Sequence, residues 1–499
     1  MFTKVLVANR GEIACRIIRT LRELGVASVA IHSEADTLAL HVRLADEAVC
    51  VGPAESAKSY LNADVIIAAA KETGAQAIHP GYGFLSENAD FAIACREAGI
   101  VFIGPSETAI RTMGNKTDAR ATMIEAGVPV VPGTTEAVQS GSELLSKARE
   151  IGFPVLLKAA SGGGGKGMRQ VAEESELERS LEAAQREAQS AFGDPNVYIE
   201  KVILSPRHIE IQILADAFGN TVHLFERECS VQRRHQKVIE ESPACNLSNT
   251  TRNAMGDIAV KAAQSIGYVG AGTFEFLVDS EENFYFLEMN TRLQVEHPVT
   301  ELVTGVDLCA LQIRIAAGEA LPFKQEDLEQ SGYAIECRIY AEDPSLNFSP
   351  SPGKLRRYRP PVGAGIRVDD GVREGDEISL YYDPMIAKLC AWADNRPAAI
   401  ARLDRALGEY AIAGIAHNVE FLRWVMKSDA FSEGRYSTDL LQDLGAYQAP
   451  VPPEEDRDLM LLAGVLTHIQ SALKPAAEGT SSTEPSRWRQ AFLPGDSSQ

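Results

Sequence analysis

Two glutamates and an asparagine lie on consecutive segments with a spacing that suits a metal ion. Glu275 lies in the segment 272–278, and Glu288 and Asn290 lie in the segment 284–290 after a short polar turn. Alternating side chains of a strand point to the same face, so Glu288 and Asn290 would point the same way. Oxygen ligands of this kind favour magnesium and disfavour zinc.

The two segments are predicted to form a β-hairpin with a four-residue loop at 279–282. In the predicted register Glu275 pairs with Phe286, and Thr273 pairs with Glu288. The two glutamates would then be diagonal neighbours, roughly 7–8 Å apart at the backbone. Since both are flanked by large apolar residues, and burying a carboxylate without a cation is costly, we expect them to hold a metal. The alternative is a pair of solvated glutamates on an exposed sheet face.

The segment that follows, 291–298, places a cation, an amide and a carboxylate at alternating positions. If this segment is extended, Arg292, Gln294 and Glu296 share one face. Arg292 could hold a planar anion such as bicarbonate through two hydrogen bonds, and Glu296 could take a proton from it. A surface ion pair is the alternative.

The segment 228–237 is rich in cations although the protein as a whole is acidic. Such a cluster suits a polyphosphate, but Arg233 and Arg234 fit a solvated face equally well. Lys237 precedes Val238 and Ile239, as expected of a lysine leading into a strand near a terminal phosphate. Cys229 lies beside this cluster, and we expect a structural role for it because cysteines are usually buried.

Four consecutive glycines, 162–165, are followed by Lys166 and Gly167. Such a backbone can approach phosphate oxygens closely and could open and close over a nucleotide. A flexible linker is the alternative, although few linkers directly follow a strand that ends in a lysine such as Lys158. The pattern lacks the ending of a Walker motif.

The surrounding elements predict several packed α/β units. A strand at 4–8, a helix ending near Gly25, a strand at 27–32 and a helix at 64–73 alternate as in a doubly wound parallel sheet. No GxGxxG motif follows the first strand, so dinucleotide binding is not assigned. A small lid-sized unit follows, and then a larger α+β region with five predicted strands, at 208–215, 222–227, 273–278, 284–289 and 333–340. A helix is predicted at 457–473, and the remainder from Pro475 is expected to be mobile.

Bulk properties exclude several classes of protein. The chain has 499 residues, a formal net charge of -21 and eight scattered cysteines. The charge argues against non-specific binding to nucleic acid or to an anionic membrane. The cysteines lack metal-ligand spacing and are expected to be reduced thiols. With no signal or transit segment and no stretch of roughly 20 apolar residues, we expect a cytoplasmic protein.

Six segments together resemble the signature segments of biotin carboxylases, and the resemblance extends from residue 2 to about 446. They are 8–14, 79–87, 162–168, 232–237, 288–300 and 382–388. The resemblance implies a multidomain α/β and α+β fold with a Rossmann-like N-terminal domain, an ATP-grasp lid and core, and a C-terminal biotin carboxylase domain. The expected divisions are a pre-ATP-grasp domain at 1–115, a linker and lid at 116–203, a core with the metal and bicarbonate site at 204–330, a C-terminal domain at 331–446, and a linker helix with a mobile tail at 447–499.

The resemblance also implies a role for each candidate residue. Metal ligands would be Glu275, Glu288 and Asn290. Catalytic residues would be Lys237 at the transferring phosphoryl group, Arg292 and Glu296 at bicarbonate, and Arg338 at the biotin enolate. Nucleotide-binding residues would be Lys116, Lys158, Gly163, Gly164, Gly165, Lys166, Gly167, Met168, Glu200, Lys201, His208, Gln232, His235 and Leu277.

The implied reaction is the ATP-dependent carboxylation of biotin by bicarbonate through carboxyphosphate, the first half-reaction of an acyl-CoA carboxylase. ATP would bind with two magnesium or manganese ions. Biotin would be a substrate on a separate carrier domain or protein, and a carboxyltransferase subunit would be a further partner. A homo-oligomer is possible, and no nucleic acid or membrane partner is expected.

The chain has no Ala-Met-Lys-Met biotin attachment segment. The predicted helix at 457–473 and the segment 486–489 resemble the start of the linker region in the biotin-bearing subunits of acyl-CoA carboxylases. We therefore expect a chain truncated at that point, and a separate carrier protein is the alternative.

Two other interpretations remain open from the sequence. The first is another ATP-grasp ligase, of the carbamoyl phosphate synthetase or purine-pathway carboxylating kind, which Arg338 together with 292–296 disfavours. The second is a non-catalytic nucleotide-binding subunit, which the complete set of metal and phosphate residues disfavours.

Overall fold

The structure is a computed structural model that describes residues 1–134, 141–159, 168–192, 195–449 and 454–473. Contacts divide the chain into two units, residues 1–447 and residues 448–499. The predicted glycine loop at 162–167 and the tail from Pro475 lie outside the described residues, as do the side chain of Met168 and the segment 486–489.

The first unit begins with a parallel sheet. Its elements are β1 (Lys4–Val7), α1 (Gly11–Glu23), β2 (Ala27–Ser33), α2 (Leu40–Leu44), β3 (Glu47–Gly52), α3 (Ala63–Thr73), β4 (Ala77–His79), α4 (Ala89–Glu97), β5 (Val101–Phe102) and α5 (Glu107–Gly114). The strand order is β3-β2-β1-β4-β5, and every pair is parallel. Val5 and Val7 pack with α1 on one face, whereas Leu6 packs with α3 and α4 on the other. The predicted doubly wound arrangement is confirmed.

The loops after β1 and β4 are joined by Asn9. Its side-chain nitrogen donates to the carbonyl oxygens of Pro80 and Tyr82, each at 2.7 Å. Gly81 between them has a φ of 64°, a left-handed conformation that glycine adopts without strain. This contact holds Tyr82 beside the cavity described below.

Helix α6 (Lys116–Glu125) comes next and precedes a small unit with α7 (Gly141–Ile151), β6 (Val155–Ala159), β7 (Met168–Val171), α8 (Leu177–Phe192) and β8 (Val197–Lys201). The three strands form an antiparallel sheet in the order β7-β6-β8. Leu157 and Val197 pack against Leu144 of α7 and Leu181 of α8, so this unit has a small core of its own.

The remaining elements of the first unit form an eight-stranded sheet and the helices and short strands around it. They are β9 (Arg207–Ala215), β10 (Thr221–Arg233), β11 (Gln236–Ser242), α9 (Asn249–Ser265), β12 (Gly270–Val278), β13 (Phe284–Asn290), α10 (His297–Thr304), α11 (Leu308–Ala316), β14 (Tyr333–Tyr340), β15 (Glu342–Asp343), β16 (Ser349–Pro350), β17 (Gly353–Lys354), β18 (Arg357–Arg359), β19 (Ile366–Asp370), β20 (Glu377–Ile378), β21 (Met385–Ala393), α12 (Arg396–Glu409), β22 (Ala411–Ala413), α13 (Val419–Met426), α14 (Asp429–Ser432) and α15 (Leu440–Asp443).

This sheet has the order β13-β12-β9-β10-β11-β14-β21-β19, with antiparallel neighbours throughout. The predicted strands are confirmed, and β10 continues past 227 to Arg233. Because β11 pairs with β14, strands from the two segments expected as 204–330 and 331–446 lie side by side. The predicted multidomain α/β and α+β fold class is confirmed.

In the second unit the structure describes one helix, α16 (Glu454–Leu473), which confirms the helix predicted at 457–473. Among the described residues, no helix has the length and apolar content needed to cross a bilayer. All eight cysteines lie in described segments and are free, in agreement with reduced thiols.

Candidate active site

The predicted hairpin is present, but its register differs from the prediction. The turn spans 279–283, one residue longer than expected, and Val278 pairs with Phe284. A bulge between Glu275 and Phe276 then places Glu275 directly opposite Glu288. The predicted pairs of Glu275 with Phe286 and of Thr273 with Glu288 are wrong. The two glutamates nevertheless share one face, because directly paired residues project to the same side of a sheet.

The two glutamates differ in burial. Glu275 is 4% exposed, whereas Glu288 is exposed, so the expectation that both are buried is wrong for Glu288. Glu275 Oε1 accepts hydrogen bonds from Asn290 Nδ2 at 2.8 Å and Gln294 Nε2 at 3.1 Å. Burial raises the pKa of Glu275, but the charges of Lys237 and His208 outweigh burial and hold the pKa below its ordinary value. Glu275 is therefore an ionised carboxylate next to a solvent-accessible one.

Lys237 is the centre of the charged cluster. Its Nζ donates to Glu210 Oε2 at 2.6 Å, Glu275 Oε1 at 2.8 Å and Glu296 Oε1 at 2.6 Å. Burial lowers the pKa of Lys237, and its three carboxylate partners outweigh burial and raise the pKa well above its ordinary value. The ammonium stays charged in this position. Lys237 lies within β11, one residue after the strand begins at Gln236.

Arg338 connects two buried carboxylates, those of Glu240 and Glu296. Its Nε donates to Glu240 Oε1 at 2.6 Å, and its Nη2 donates to Glu296 Oε2 at 3.1 Å. Burial raises the pKa of Glu296, but the charges of Lys237 and Arg338 lower it well below its ordinary value. Glu296 is thus held as an ionised base between two cations.

The segment 291–298 is not an extended strand, so that part of the prediction is wrong. It is an irregular loop that ends at Glu296, and α10 begins at His297 with Pro298 in its first turn. Arg292 still contacts Gln294, because Nη1 donates to Gln294 Oε1 at 3.0 Å, and Nη2 donates to Asn290 Oδ1 at 3.0 Å. The loop therefore brings Arg292 and Gln294 together by another route, whereas Glu296 is fully buried and contacts Lys237 and Arg338 instead.

Glu87 orients Arg292 and was missed by sequence reasoning. Glu87 Oε2 accepts from Arg292 Nε at 2.9 Å, and Glu87 Oε1 accepts from the Thr291 amide at 3.0 Å. Glu87 is the last residue of the segment 79–87, one of the six that carry the family resemblance. No role was predicted for it.

Two adjoining cavities surround these residues. The first has a volume of about 720 Å³ and is lined by Lys116, Lys158, Glu200, Glu288 and Asn290, among others. In it, Lys158 Nζ lies 2.5 Å from Glu200 Oε2. The second has a volume of about 790 Å³, and the predicted residues that line it are Lys116, Lys158, His208, Gln232, His235, Lys237, Glu275, Glu288, Asn290, Arg292 and Arg338.

Of the predicted nucleotide-binding residues whose side chains the structure describes, two do not line either cavity. Lys201 Nζ donates to the carbonyl oxygens of Gly152 at 2.8 Å and Phe153 at 3.0 Å. Leu277 pairs with His208 across β12 and β9. Lys201 therefore contacts backbone within the small unit, and Leu277 lies beside His208, which does line a cavity.

Lys388 contacts the loop that carries Glu296. It is fully buried, and its Nζ donates to the Val295 carbonyl oxygen at 2.8 Å and lies 3.3 Å from Glu12 Oε1. The hydroxyl of Tyr82, which lines the second cavity, donates to Glu12. Lys388 was not predicted as a site residue, although it is the last residue of the segment 382–388, which resembles a signature segment of the family.

Cys229 is buried, with its Sγ 3.9 Å from Glu296 Oε1. Burial and the charge of Glu210 raise the pKa of this thiol well above its ordinary value. A neutral thiol agrees with the structural role expected from the sequence.

Family models match most of the chain. The model described as "Biotin carboxylase, N-terminal domain" matches residues 1–110, and "Biotin carboxylase C-terminal domain" matches residues 336–443. Between them, "Carbamoyl-phosphate synthase L chain, ATP binding domain" matches residues 115–324.

Two curated relatives illustrate the range of lengths. Biotin carboxylase 1 of Bacillus subtilis (strain 168) is 55% identical over 443 residues, which cover 89% of this chain and 98% of the relative. The mitochondrial methylcrotonoyl-CoA carboxylase subunit alpha of Rattus norvegicus is 54% identical over 440 residues, which cover 88% of this chain. The match spans only 62% of that longer relative.

Solved structures share the fold and carry ligands. The biotin carboxylase domain dimer of Hydrogenobacter thermophilus 2-oxoglutarate carboxylase, in complex with MgADP, ADP and bicarbonate, has a TM-score of 0.85 and 50% identity. That match covers 90% of this chain and 100% of the solved chain. The Campylobacter jejuni biotin carboxylase complex with β-γ-ATP has a TM-score of 0.85 and 49% identity, and covers 89% of this chain and 99% of the solved one.

Proposed function

This chain belongs to the biotin carboxylase family, and we propose that it uses MgATP and bicarbonate to carboxylate biotin through carboxyphosphate. The observation that carries this proposal is the pair of contacts made by Glu296, with Lys237 Nζ at 2.6 Å and Arg338 Nη2 at 3.1 Å. One buried base thus lies between a cation suited to a phosphoryl group and a cation suited to an enolate.

Six residues would bind the nucleotide, since each of them lines one or both cavities. They are Lys116, Lys158, Glu200, His208, Gln232 and His235. Glu275, Glu288 and Asn290 fit a magnesium site because they present oxygen donors on one face, and the exposed Glu288 leaves that face accessible. Magnesium would offset the negative charge of the triphosphate. The binding of two ions, and the use of manganese in place of magnesium, stay predictions.

In the first step an oxygen of bicarbonate attacks the γ-phosphorus of ATP, and the bond to the bridging oxygen breaks so that ADP leaves. Arg292 would hold the bicarbonate, and Glu296 would take its proton. Lys237 would offset charge on the transferring phosphoryl group, which is the main task in such reactions.

In the second step carboxyphosphate splits into carbon dioxide and phosphate. The phosphate takes the N1′ proton of biotin, and N1′ then forms its bond to carbon dioxide. Arg338, fixed by Glu240 at 2.6 Å, would stabilise the negative oxygen of the biotin enolate.

Biotin would reach the site on a carrier domain or protein, and a carboxyltransferase subunit would use the product. The longer acyl-CoA carboxylase relatives support this arrangement. Three expectations stay predictions: a homo-oligomer, the cytoplasmic location and the domain divisions.

The test is ATP hydrolysis by the purified chain, measured with magnesium, with and without bicarbonate and free biotin. We expect hydrolysis that depends on bicarbonate and increases with biotin. A folded protein whose bicarbonate-dependent hydrolysis does not respond to biotin contradicts the proposal.

A further inference from the structure

Two loops leave neighbouring strands at the edge of the second cavity. Tyr340 at the end of β14 pairs with Met385 at the start of β21, so the loops 341–348 and 379–384 emerge side by side. The Ala341 amide donates to the Pro384 carbonyl oxygen at 2.9 Å and joins them. Tyr340 and Met385 both line the cavity that contains Arg338. We name these two loops the mouth loops.

The mouth loops expose large apolar side chains. Leu346 is 64% exposed, Leu380 is 71% exposed and Tyr381 is 58% exposed. Single exposed apolar residues need no explanation, whereas apolar residues on two loops that leave the same edge of a cavity make these loops a candidate interaction surface. Exposed Arg234, whose Nη2 donates to Asn347 Oδ1 at 3.1 Å, adds a polar border. An apolar centre with a polar border is the usual composition of a protein interface.

Neighbouring side chains anchor both mouth loops. The Tyr382 hydroxyl donates to the Ala54 carbonyl oxygen at 2.6 Å, and the Arg10 guanidinium lies 4.2 Å from the Tyr382 ring centre. On the other loop, Phe348 has the Arg233 guanidinium 3.9 Å from its ring centre. Anchored neighbours keep Leu346 and Leu380 outside the core, where a partner could cover them.

We propose that the mouth loops are the docking surface for the biotin-bearing carrier, an inference that rests on the proposed function. A biotin that reaches Arg338 while attached to a protein must bring that protein's surface against the rim of the cavity. Tyr381, Tyr382 and Asp383 line the cavity, whereas Leu380 is not among its lining residues. Leu380 would therefore contact the carrier and not the biotin ring.

The test compares free biotin with biotin on a carrier. Leu380→Ser is made in the full chain, and its matched control is Phe218→Ser. Phe218 is 65% exposed in the turn between β9 and β10. His208 lies at the opposite end of β9, so this turn is separated from the cavity by roughly 23 Å of strand. The substrates are free biotin and recombinant biotin carboxyl carrier protein, fully biotinylated on its lysine.

We expect Leu380→Ser to raise the KM for the biotinylated carrier protein by roughly fivefold, as for a residue at the centre of an interface. Its kinetic constants with free biotin should stay within about twofold of the unsubstituted protein, a range typical of surface substitutions. Phe218→Ser should leave both substrates unaffected.

Three outcomes in Leu380→Ser overturn the docking proposal, as does an unsubstituted protein that uses the carrier no better than free biotin. The first is an unchanged KM for the carrier protein. The second is an equal loss with both substrates, which places Leu380 in the cavity. The third is dissociation of an oligomer by Leu380→Ser, which makes the surface a contact between copies. Loss of biotin-stimulated hydrolysis in the unsubstituted protein would instead contradict the proposed function.

Discussion

Lys237 Nζ lies 2.6 Å from Glu296 Oε1, and the same ammonium lies 2.8 Å from Glu275 Oε1. One lysine therefore connects the carboxylate assigned to the metal with the carboxylate assigned to bicarbonate. Since the charge of Lys237 lowers the pKa of Glu296, a shift of the ammonium toward a phosphoryl oxygen would make Glu296 more basic. This contact couples the nucleotide to the base that acts on bicarbonate.

Glu296→Gln should lower bicarbonate-dependent turnover by at least roughly 100-fold, the usual contribution of a general base. The amide retains the size of the side chain and an oxygen that can accept from Lys237, but it cannot take a proton. Nucleotide affinity, measured by calorimetry, should stay nearly unchanged. A parallel loss of nucleotide binding would show that Glu296 has another role.

The strands around the site could be predicted from the sequence, but the register of the β12–β13 hairpin could not. Alternation places Glu275, Glu288 and Asn290 on one face, whereas a bulge between Glu275 and Phe276 depends on packing that the pattern does not record. The extra turn residue and the bulge compensate, so the prediction that the two glutamates share a face is confirmed although each predicted pair is wrong.

Contacts between residues that lie far apart in the chain could not be predicted from the sequence either. Glu87 reaches Arg292 across 205 positions, and Lys388 reaches Val295 across 93. Local spacing indicates which residues could carry charge chemistry. The contact of Glu87 forms only when the parallel-sheet region packs against the eight-stranded-sheet region, and that of Lys388 only when the loop before α10 packs on β21. The family resemblance included both segments without stating a contact for either residue.

Glu288→Gln should raise the magnesium concentration for half-maximal ATP hydrolysis by roughly tenfold or more, because an amide is a weaker ligand for a hard cation. The matched control is Glu281→Gln, an exposed glutamate in the turn of the same hairpin. An equal shift in both variants, or none in Glu288→Gln, would remove Glu288 from the metal site.

Lys388→Met should destabilise the protein by about 3–5 kcal/mol, since it leaves the buried carboxylate of Glu12 without its cation. Adding Glu12→Gln should recover part of the loss, because a neutral amide is less costly to bury. Thermal unfolding of the two single variants and the double variant measures this. Strictly additive losses would show that the two side chains do not interact.

Glu240→Gln tests whether the ionisation of Glu240 controls Arg338. Burial raises the pKa of Glu240 to about 7, although the charge of Arg338 opposes this. As the pH rises through about 7 the carboxyl group loses its proton and holds Arg338 Nε more firmly, because charged hydrogen bonds are stronger than neutral ones. Glutamine corresponds to the protonated form at every pH.

We therefore expect kcat/KM of Glu240→Gln for free biotin to match that of the unsubstituted protein near pH 6 and to be roughly fivefold lower near pH 8. The KM for ATP should be the same in both proteins, and a ratio of kcat/KM values that does not change with pH would contradict the assignment.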